Sequence, residues 1–313
     1  MSVVFQSRSM AELLDVARQY ARSTATVLIT GESGTGKEVV ARWVHEQSRR
    51  GHRGFVRVNC AALSEGLVES ELFGHEQGAF TGADRARRGR LEAARGGTLL
   101  LDEISEVSRR FQAKLLRVLE EEEFQRVGGD ETIRSDARIV ATTNRRLDAE
   151  VRRNRFRSDL YYRVNVLRLH IPPLHERVDD IPILVRHFLG KFQNEGEGRI
   201  EGVSPAAMRR LCEHNWPGNV RELRNVVHRI CVLSRNAIVQ VDDVPLLEQR
   251  SDEEASSLPA SFEQMRLDDI ERHVILSRIS QCKGNKTAAA KQLGVTDRTL
   301  RNKMNRYRRL GLV

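Results

Sequence analysis

Residues 27–38 have the sequence VLITGESGTGKE, in which a short apolar run leads into a glycine-rich turn and a lysine. The run Val27-Leu28-Ile29 suits a strand that is buried on both faces of a sheet. The turn has the pattern G-x-x-x-x-G-K, and the residues after Lys37 have helical spacing. A strand, a glycine-rich turn and a helix in this order predict a phosphate-binding loop, the P-loop. Backbone N–H groups and the helix N-terminus of such a loop face phosphate oxygens, and the lysine adds positive charge.

The P-loop prediction defines a set of nucleotide-binding residues. They are Gly31, Glu32, Ser33, Gly34, Thr35, Gly36, Lys37 and Glu38. A glycine-rich turn with a surface lysine is the alternative, and the strand and helix on either side disfavour it. The residue after the lysine is usually Ser or Thr, whose hydroxyl contacts Mg²⁺. Here it is Glu38, which taken alone weakens the case for a metal.

A second apolar run, residues 98–101, ends in the acidic pair Asp102-Glu103. Beside a P-loop, the first carboxylate of such a pair is predicted to hold Mg²⁺ through water. The second is predicted to orient and deprotonate the water that attacks the γ-phosphate. A strand followed by an acidic helix cap is the alternative. Together with the P-loop, the pair favours an ATPase that uses ATP and Mg²⁺.

Further apolar runs alternate with helical segments in the first half of the chain. The runs cover residues 55–58, 139–143 and, with looser alternation, 166–171, and the helical segments include residues 38–48 and 110–121. Strands that alternate with helices predict an α/β fold, in which a mostly parallel sheet is covered by helices on both faces.

Strand signals stop after Pro172-Pro173, and three helices are predicted in the residues that follow. One covers residues 181–192, one begins near Ser204-Pro205 with the serine as its cap, and one follows residues 216–218. This part is predicted to be a small all-helical subdomain. The predicted organisation is an α/β subdomain at 1–172, a helical subdomain at 173–247, a polar linker at 248–261 and a helical domain at 262–313.

The C-terminal domain carries most of the net positive charge of the chain. The chain has a net charge of +9, and from residue 261 onward there are 12 Lys and Arg but only five Asp and Glu. Such a segment favours a polyanionic partner, although a solvated helix face is the alternative.

The four cysteines are scattered, without metal-binding spacing or a disulfide framework, which fits a reducing compartment. No apolar run approaches the ~20 residues needed to cross a bilayer. The N-terminus lacks the pattern of a secretion signal. We therefore expect a cytoplasmic protein with no membrane partner.

The C-terminal domain has the pattern of a helix-turn-helix. Leu267, Ile270 and Val274 recur at helical spacing, a second helix fits residues 285–293, and Thr296 can cap a third. A short turn between two such helices places the last one in the major groove of DNA.

The third predicted helix has one apolar face and one polar face. Leu300, Met304 and Tyr307 fall on the apolar face. The residues predicted to contact phosphates or base edges are Thr296, Arg298, Thr299, Arg301, Asn302, Lys303 and Asn305.

Six segments in a fixed order carry a resemblance to a known family. They are GESGTGKE (31–38), ELFGHEQGAFTGA (71–83), GGTLLLDE (96–103), ATTN (141–144), FRSDLYYR (156–163) and WPGNVREL (216–223). Together they resemble the AAA+ domain of sigma-54-dependent transcriptional activators, the bacterial enhancer-binding proteins, over about residues 1–247. GNKTAAAKQLGVTDRTLRNKM (284–304) closely resembles the Fis-type helix-turn-helix that ends many of these activators.

The resemblance implies roles in ATP hydrolysis. Asp102 and Glu103 match the Mg²⁺-binding and water-activating positions, and Glu38 is the residue usual in the family, so it no longer counts against a metal. Asn59 matches an asparagine that restrains the catalytic glutamate. Thr143 and Asn144 match the first nucleotide sensor.

Three arginines also acquire roles from the resemblance, although by spacing alone they are surface residues. Arg157 and Arg163 match arginine fingers that act on the ATP of a neighbouring subunit, which implies self-assembly into a ring, usually a hexamer. Arg221 matches the second sensor on the helical lid, as the subdomain at residues 173–247 is called in the family.

One motif is implied to contact the sigma factor. It consists of Gly78, Ala79, Phe80, Thr81, Gly82 and Ala83, the GAFTGA loop of the family. Its glycines and small residues predict little intrinsic structure. Phe80 is predicted to be an exposed aromatic, with a core residue as the alternative. Residues 127–130 resemble the second pore loop of these proteins.

The resemblance implies an ATP-dependent activator that binds enhancer DNA and remodels the closed complex of the sigma-54 RNA polymerase holoenzyme. One alternative is a DNA-bound regulator that does not drive sigma-54, and another is a P-loop machine such as a helicase loader or a protease unfoldase. The intact GAFTGA sequence disfavours both. Since the motifs begin almost at residue 1, control is expected from a separate regulatory protein, from expression level or from a domain outside this sequence.

Overall fold

The computed structural model describes residues 3–61, 65–196, 200–234, 236–244, 271–272, 274–276, 278–279 and 286–309. The chain packs as two compact units, Met1–Leu246 and Leu247–Val313. The linker predicted at residues 248–261 lies outside the described residues, and the boundary predicted after residue 172 stays a prediction.

The strands all belong to the first unit. In chain order they are β1 (Val27–Thr30), β2 (Phe55–Asn59), β3 (Gly74–His75), β4 (Arg87–Arg88), β5 (Thr98–Asp102), β6 (Glu123–Gln125), β7 (Thr132–Arg134), β8 (Arg138–Thr143), β9 (Leu167–His170), β10 (Gly202–Val203) and β11 (Ile238–Val239).

Helices separate and follow these strands. They are α1 (Arg8–Ala21), α2 (Lys37–Glu46), α3 (Glu65–Phe73), α4 (Arg90–Ala93), α5 (Arg109–Glu121), α6 (Leu147–Arg152), α7 (Ser158–Val164), α8 (Asp180–Asn194), α9 (Pro205–Glu213), α10 (Asn219–Leu233), α11 (Lys286–Gln292) and α12 (Asp297–Arg309). Within the described ranges, every helix is too short or too polar to pass through a lipid bilayer.

The predicted parallel sheet is confirmed, with the strand order β2-β5-β8-β1-β9 and parallel pairing throughout. The strands β1 and β8 are buried along their whole length, which explains the apolar runs Val27-Leu28-Ile29 and Ile139-Val140-Ala141. Because all strands run the same way, the carboxyl ends of β1, β5 and β8 meet at one edge. Ligands of open parallel sheets bind at this edge.

Helices cover both faces of the sheet, as predicted. One apolar core lies between the sheet and α3, α5 and α7, and it contains Leu72, Phe111 and Leu160. A second core packs α1 and α2 against the opposite face through Leu14 and Val44. The α/β class predicted from the alternating pattern is thus the observed fold.

Two antiparallel hairpins, β3–β4 and β6–β7, lie outside the main sheet. The prediction that strands end at Pro173 is wrong in detail, since β10 and β11 form a parallel pair of two residues each. Strands this short bury too few residues to produce a visible alternation.

The residues after β9 form the predicted helical lid. Helices α8, α9 and α10 pack around Trp216, whose indole N–H donates to the Leu211 carbonyl at 2.9 Å. Ser204 caps α9 as predicted, since its hydroxyl accepts the N–H of Ala207.

The second unit contains the predicted helix-turn-helix. Helices α11 and α12 are joined through Gly294, which has φ of 66°, and Thr296 Oγ1 accepts the Thr299 N–H at 3.2 Å. The apolar face of α12 is confirmed, because Leu300, Met304 and Tyr307 are buried.

The helix predicted ahead of this pair is only partly covered by the described residues. Leu267 and Ile270 lie outside them. Val274 is 41% exposed, while the neighbouring Ile275 is buried in the core. The buried face of this segment therefore differs by one residue from the predicted one.

Candidate active site

The P-loop joins the carboxyl end of β1 to the N-terminus of α2. Gly34 has φ of 81°, and a Cβ there would come within 2.3 Å of the Gly218 carbonyl oxygen. Only glycine therefore allows the lid to approach the loop this closely. At Gly36, with φ of 101°, a Cβ would meet nothing within 4 Å, so open space remains in front of the helix N-terminus. This space fits a phosphate group.

Lys37 is the first residue of α2, and its side chain is almost completely buried. Its ammonium donates to the carbonyl oxygens of Gly31 and Glu32, at 2.9 and 3.1 Å. It also lies 3.3 Å from Glu103 Oε1. The charge is thus held between the P-loop and the acidic pair, where phosphate oxygens can reach it.

The acidic pair lies at the carboxyl end of β5, next to the end of β8. Asp102 Oδ1 accepts the hydroxyl of Thr142 at 2.6 Å. Glu103 has a left-handed φ of 57°, and its Oε2 accepts the backbone N–H of Asn144 at 2.9 Å. This conformation turns the Glu103 carboxylate towards Lys37. The structure therefore brings together the P-loop, the acidic pair and Asn144, as the sequence predicted.

Two residues of this centre were missed by the sequence analysis. Thr142 holds Asp102 and also accepts the N–H of Glu103, whereas the predicted Thr143 donates to Ser105 Oγ. Arg57 donates to Asp102 Oδ2 at 2.7 Å. A basic residue in β2 was the only available signal for it.

The predicted contact between Asn59 and the catalytic glutamate is absent from the structure, although both residues are described. Asn59 Oδ1 accepts the N–H of Ala61 at 2.9 Å. The Glu103 carboxylate is occupied by Lys37 and by the Asn144 N–H instead. The role of Asn59 in restraining the catalytic glutamate therefore stays a prediction.

The lid contacts the P-loop directly through α10. Arg221 donates to Ser33 Oγ at 2.9 Å, and its assignment as the second sensor stays a prediction. Asn219, a further residue that the sequence analysis missed, is fully buried with φ of 53°. Its amide donates to Glu32 Oε2 and to the Ser33 carbonyl, at 3.0 and 3.1 Å. A cavity of about 530 Å³ lies beside these residues, bounded also by Asn144 and Pro217.

A buried group of polar residues, here called the clasp, ties the N-terminal segment to the lid and the P-loop. Asp180 is completely buried and accepts the N–H groups of Gln6 and Ser7 and the hydroxyl of Ser7. It pairs with Arg177 at 3.7 Å. Arg177 in turn donates to the Thr35 carbonyl at 2.8 Å. These contacts join the N-terminal segment, the lid and the P-loop, although Arg177 Nε is buried without a hydrogen-bond partner among the described residues.

The two predicted arginine fingers lie apart from this centre. Arg157 pairs with Asp159 at 2.7 Å, and this hydrogen bond raises the pKa of Arg157 and lowers the pKa of Asp159. Arg163 donates to the Leu119 carbonyl. Among the described residues, neither guanidinium has a hydrogen bond to the P-loop. Within one chain the centre therefore lacks these cations.

The GAFTGA loop connects β3 to β4 and is closed by two backbone hydrogen bonds. The Gly78 N–H donates to the Ala83 carbonyl, and the Ala83 N–H donates to the Phe80 carbonyl, at 2.9 and 3.0 Å. Phe80 is 40% exposed, as predicted for an exposed aromatic, and its ring packs edge-on against His75.

The loop between β6 and β7 packs against the GAFTGA loop. A Cβ at Gly128 would come within 2.7 Å of the Ala79 side chain. Arg126 donates to Glu92 through two nitrogens and to Glu76 through a third. The Arg126 hydrogen bonds lower the pKa of the Glu92 carboxyl. The two loops thus form one connected assembly.

Cys60 follows β2 and is buried beside the acidic pair. Burial, with smaller contributions from Asp102 and Glu103, raises the pKa of its thiol to about 12. We expect iodoacetamide at about pH 8 to leave Cys60 unmodified in the folded chain, because only a thiolate reacts. After denaturation the pKa returns to ~8.5, and alkylation should be complete by mass spectrometry. Equal labelling rates in both states would contradict the expectation.

The predicted DNA-binding residues lie in α12, apart from Thr296, which directly precedes the helix. Arg298 and Asn302 are exposed. Lys303 instead pairs with Glu271 at 2.7 Å, and this hydrogen bond raises the pKa of Lys303. The Asn305 side chain lies outside the described residues. The helix keeps its basic character, but Lys303 is already neutralised in part.

A P-loop on a parallel sheet, an acidic strand end and a helical lid that contacts the P-loop define a P-loop ATPase fold of the AAA+ class. Three family models match in the same order along the chain. They are the sigma-54 interaction domain at residues 3–170, the AAA+ ATPase lid domain at 175–260 and the bacterial regulatory protein, Fis family, at 266–307.

Known proteins resemble the chain over nearly its whole length. The Nif-specific regulatory protein of Azotobacter vinelandii is 50% identical over 301 residues, which are 95% of this chain and 57% of that protein. The transcriptional regulatory protein ZraR of Escherichia coli K12 is 46% identical over 308 residues, 97% of this chain and 68% of that protein. The chain thus spans between about half and two thirds of these relatives.

A solved structure shares the fold. NtrX from Brucella abortus in complex with ADP has a TM-score of 0.73 and 34% identity, covering 97% of this chain and 68% of NtrX. The same protein in complex with ATP has a TM-score of 0.71. The chain belongs to the family of sigma-54-dependent transcriptional activators, the bacterial enhancer-binding proteins.

Proposed function

We propose that the chain hydrolyses ATP and uses the energy to remodel sigma-54 RNA polymerase at promoters. The observation that carries this proposal is the arrangement of Lys37, Glu103 and Asp102 beneath a lid that contacts the P-loop through Arg221. A P-loop lysine and a carboxylate for water activation are the parts that phosphoryl transfer requires. NtrX has been solved in complex with ADP and with ATP, which supports the choice of nucleotide.

Each part of the centre has a distinct task in this proposal. The P-loop N–H groups and Lys37 bind the phosphates, and Arg221 reaches them from the lid. Glu103 takes the proton of the attacking water, while the Asn144 N–H orients its carboxylate. Thr143 and Asn59 remain proposed as sensor and restraint.

A magnesium ion fits the donor set of this site. Mg²⁺ usually binds one or two carboxylates together with substrate phosphates and water. Asp102, with Thr142 orienting its carboxylate, and Glu38 are the residues that would hold it. When bound, the ion would neutralise charge that develops on the phosphates.

Self-assembly into a ring would complete the centre. Arg157 and Arg163 are proposed to reach the ATP of a neighbouring copy, since neither contacts the P-loop of its own chain within the described residues. An arginine supplied by a neighbour can stabilise the charge of the transition state. A hexamer is the ring usual in the family.

Two further surfaces would connect the motor to its partners. The GAFTGA loop, from Gly78 to Ala83, is proposed to contact sigma-54. Thr296 and the first turn of α12, with Arg298 and Thr299, are proposed to bind enhancer DNA. This function would place the chain in the cytoplasm with the polymerase, and a separate regulatory protein is a further proposed partner.

The proposal is tested by promoter opening with purified sigma-54 RNA polymerase holoenzyme. Permanganate footprinting should detect melted promoter DNA with the chain and ATP, but not with a non-hydrolysable ATP analogue. Specific DNA binding without any ATP-dependent opening would favour a DNA-bound regulator that does not drive sigma-54. ATP hydrolysis without either effect would favour a different P-loop machine.

Replacing Arg298 and Arg301 by alanine should weaken enhancer binding by at least ~5-fold each, because a base contact made by an arginine is worth ~1–3 kcal/mol. Electrophoretic mobility shifts at fixed salt measure the loss, and ATPase activity should stay unchanged. Lys303→Ala is the matched comparison and should lose less, since Glu271 already pairs with Lys303. Unchanged affinity in the double variant would show that α12 is not the recognition helix.

A further inference from the structure

The guanidinium of Arg57 lies between two carboxylates at the entrance of the P-loop site. One of its nitrogens donates to Glu38 Oε2 at 2.6 Å, and the other donates to Asp102 Oδ2 at 2.7 Å. Arg57 belongs to β2, Glu38 to the first turn of α2, and Asp102 to the end of β5. One side chain therefore joins three elements that surround the site.

The two carboxylates occupy the positions that hold metal in P-loop proteins. In that class Mg²⁺ is bound by a Ser or Thr hydroxyl directly after the P-loop lysine and by the aspartate at the strand end. Here these residues are Glu38 and Asp102. Since Asp102 Oδ1 already accepts the Thr142 hydroxyl at 2.6 Å, Oδ2 is the oxygen better placed for a cation. This is the oxygen that Arg57 binds.

The charges around the site explain why a cation is needed there. Glu38, Asp102 and Glu103 supply three negative charges, and Lys37 lies next to Glu103 at 3.3 Å. Arg57 pairs with the other two and offsets one of their two negative charges. Without it, like charges would face each other across the space between α2 and β5, and this favours capture of another cation.

We propose that Arg57 is a positioning residue that holds Glu38 and Asp102 in place and releases Asp102 Oδ2 when nucleotide binds together with Mg²⁺. The inference rests on the proposed nucleotide-binding function. Its consequence is that the site carries its own cation before the nucleotide arrives. Arg57 therefore lowers the affinity of the site for Mg²⁺ and makes metal binding depend on the phosphates.

The experiment measures how Mg²⁺ controls nucleotide binding in the full chain. Fluorescence anisotropy of N-methylanthraniloyl-ADP is followed while Mg²⁺ rises from a chelator-buffered zero to saturation. For Arg57→Ala, the Mg²⁺ concentration at half-maximal binding should fall about five-fold, the factor expected for losing a partly exposed ion pair. Binding of the metal-free nucleotide should not become tighter.

Two further variants serve as comparisons. Arg57→Lys keeps the charge but reaches one carboxylate at a time, so its Mg²⁺ dependence should lie between wild type and Arg57→Ala. Arg117→Ala removes a guanidinium that pairs with Glu121 on the surface of α5, at 3.4 Å, and should match wild type. Arg57 is 39% exposed on its side chain, so its variants should fold, which thermal melting verifies.

The outcomes separate this inference from the function on which it rests. An Arg57→Ala chain whose Mg²⁺ dependence equals that of wild type, or moves to higher Mg²⁺, overturns the inference alone. Tighter binding of metal-free nucleotide would also overturn it, because Arg57 would then act on the nucleotide itself. Failure of the wild-type chain to bind the nucleotide at any Mg²⁺ concentration would overturn the proposed function as well.

Discussion

A Glu103→Gln chain is expected to bind ATP almost as tightly as wild type while its turnover falls by about 10²–10⁴-fold. The carboxylate is the proposed acceptor of the proton from water, and an amide of the same shape cannot accept it. Glutamine retains an oxygen for the Asn144 N–H, which Glu103 Oε2 now accepts at 2.9 Å, so the backbone should keep its conformation. Steady-state phosphate release and equilibrium nucleotide binding, measured on one preparation, separate the two effects.

Two comparisons make this result specific. Glu106→Gln alters a neighbouring carboxylate that pairs with Arg145 at 2.7 Å, and it should hydrolyse ATP near the wild-type rate. Lys37→Ala should instead lose nucleotide binding, because it removes the buried positive charge that is proposed to bind the phosphates. Normal turnover in Glu103→Gln would show that another group activates the water.

Phe80→Ala is expected to keep ATP hydrolysis but to lower open-complex formation by roughly 30-fold or more, the effect of removing a central contact residue. The Phe80 side chain is 40% exposed and packs only on His75 among its aromatic neighbours. Its backbone carbonyl, which accepts the Ala83 N–H, is unaffected by the substitution. Potassium permanganate footprinting and phosphate release report the two activities separately.

The loop assembly should survive this substitution. Arg126 holds Glu76 and Glu92 independently of Phe80, so the base of the loop stays attached to the β6–β7 hairpin. Thr81→Ala should have the same effect as Phe80→Ala. Val16→Ala is the control, since Val16 is equally exposed at 39% but lies on α1. Unimpaired promoter opening in both loop variants would remove the assignment of a sigma-54 contact.

The parts of the site that were predictable from the sequence are those formed by consecutive residues. The P-loop is a continuous segment between a strand and a helix, and the pair Asp102-Glu103 directly ends a strand. In both cases the backbone path alone places the chemical groups. Parallel pairing then brings the two segments to one edge of the sheet, so their proximity also followed from the fold class.

Residues whose partners are distant in sequence were not predictable in the same way. Arg57 and Asp102 are 45 positions apart, and Asn219 and Glu32 are 187 apart. Strand β8 is buried on both faces, so its sequence gives no alternation to show whether Thr142 or Thr143 faces the acidic pair. The choice depends on the register between β5 and β8, which appears only in the folded chain.

The contacts of the GAFTGA loop were also not predictable from its composition. Composition describes the freedom of an isolated segment, and small residues leave that freedom high. In the folded chain the loop lies between β3 and β4 and packs against Gly128. These tertiary contacts depend on segments that are distant in the sequence.

The clasp has a consequence for how signals from outside the motor could act on it. The Asp180 carboxylate takes two of its donors from the backbone of Gln6 and Ser7 and holds Arg177 on its other side. Moving the segment ahead of α1 away from the domain would remove these donors from the buried Asp180 carboxylate, at a large energetic cost. Since Arg177 also donates to the Thr35 carbonyl, such a change would be transmitted to the backbone of the P-loop, with no effector entering the nucleotide cleft.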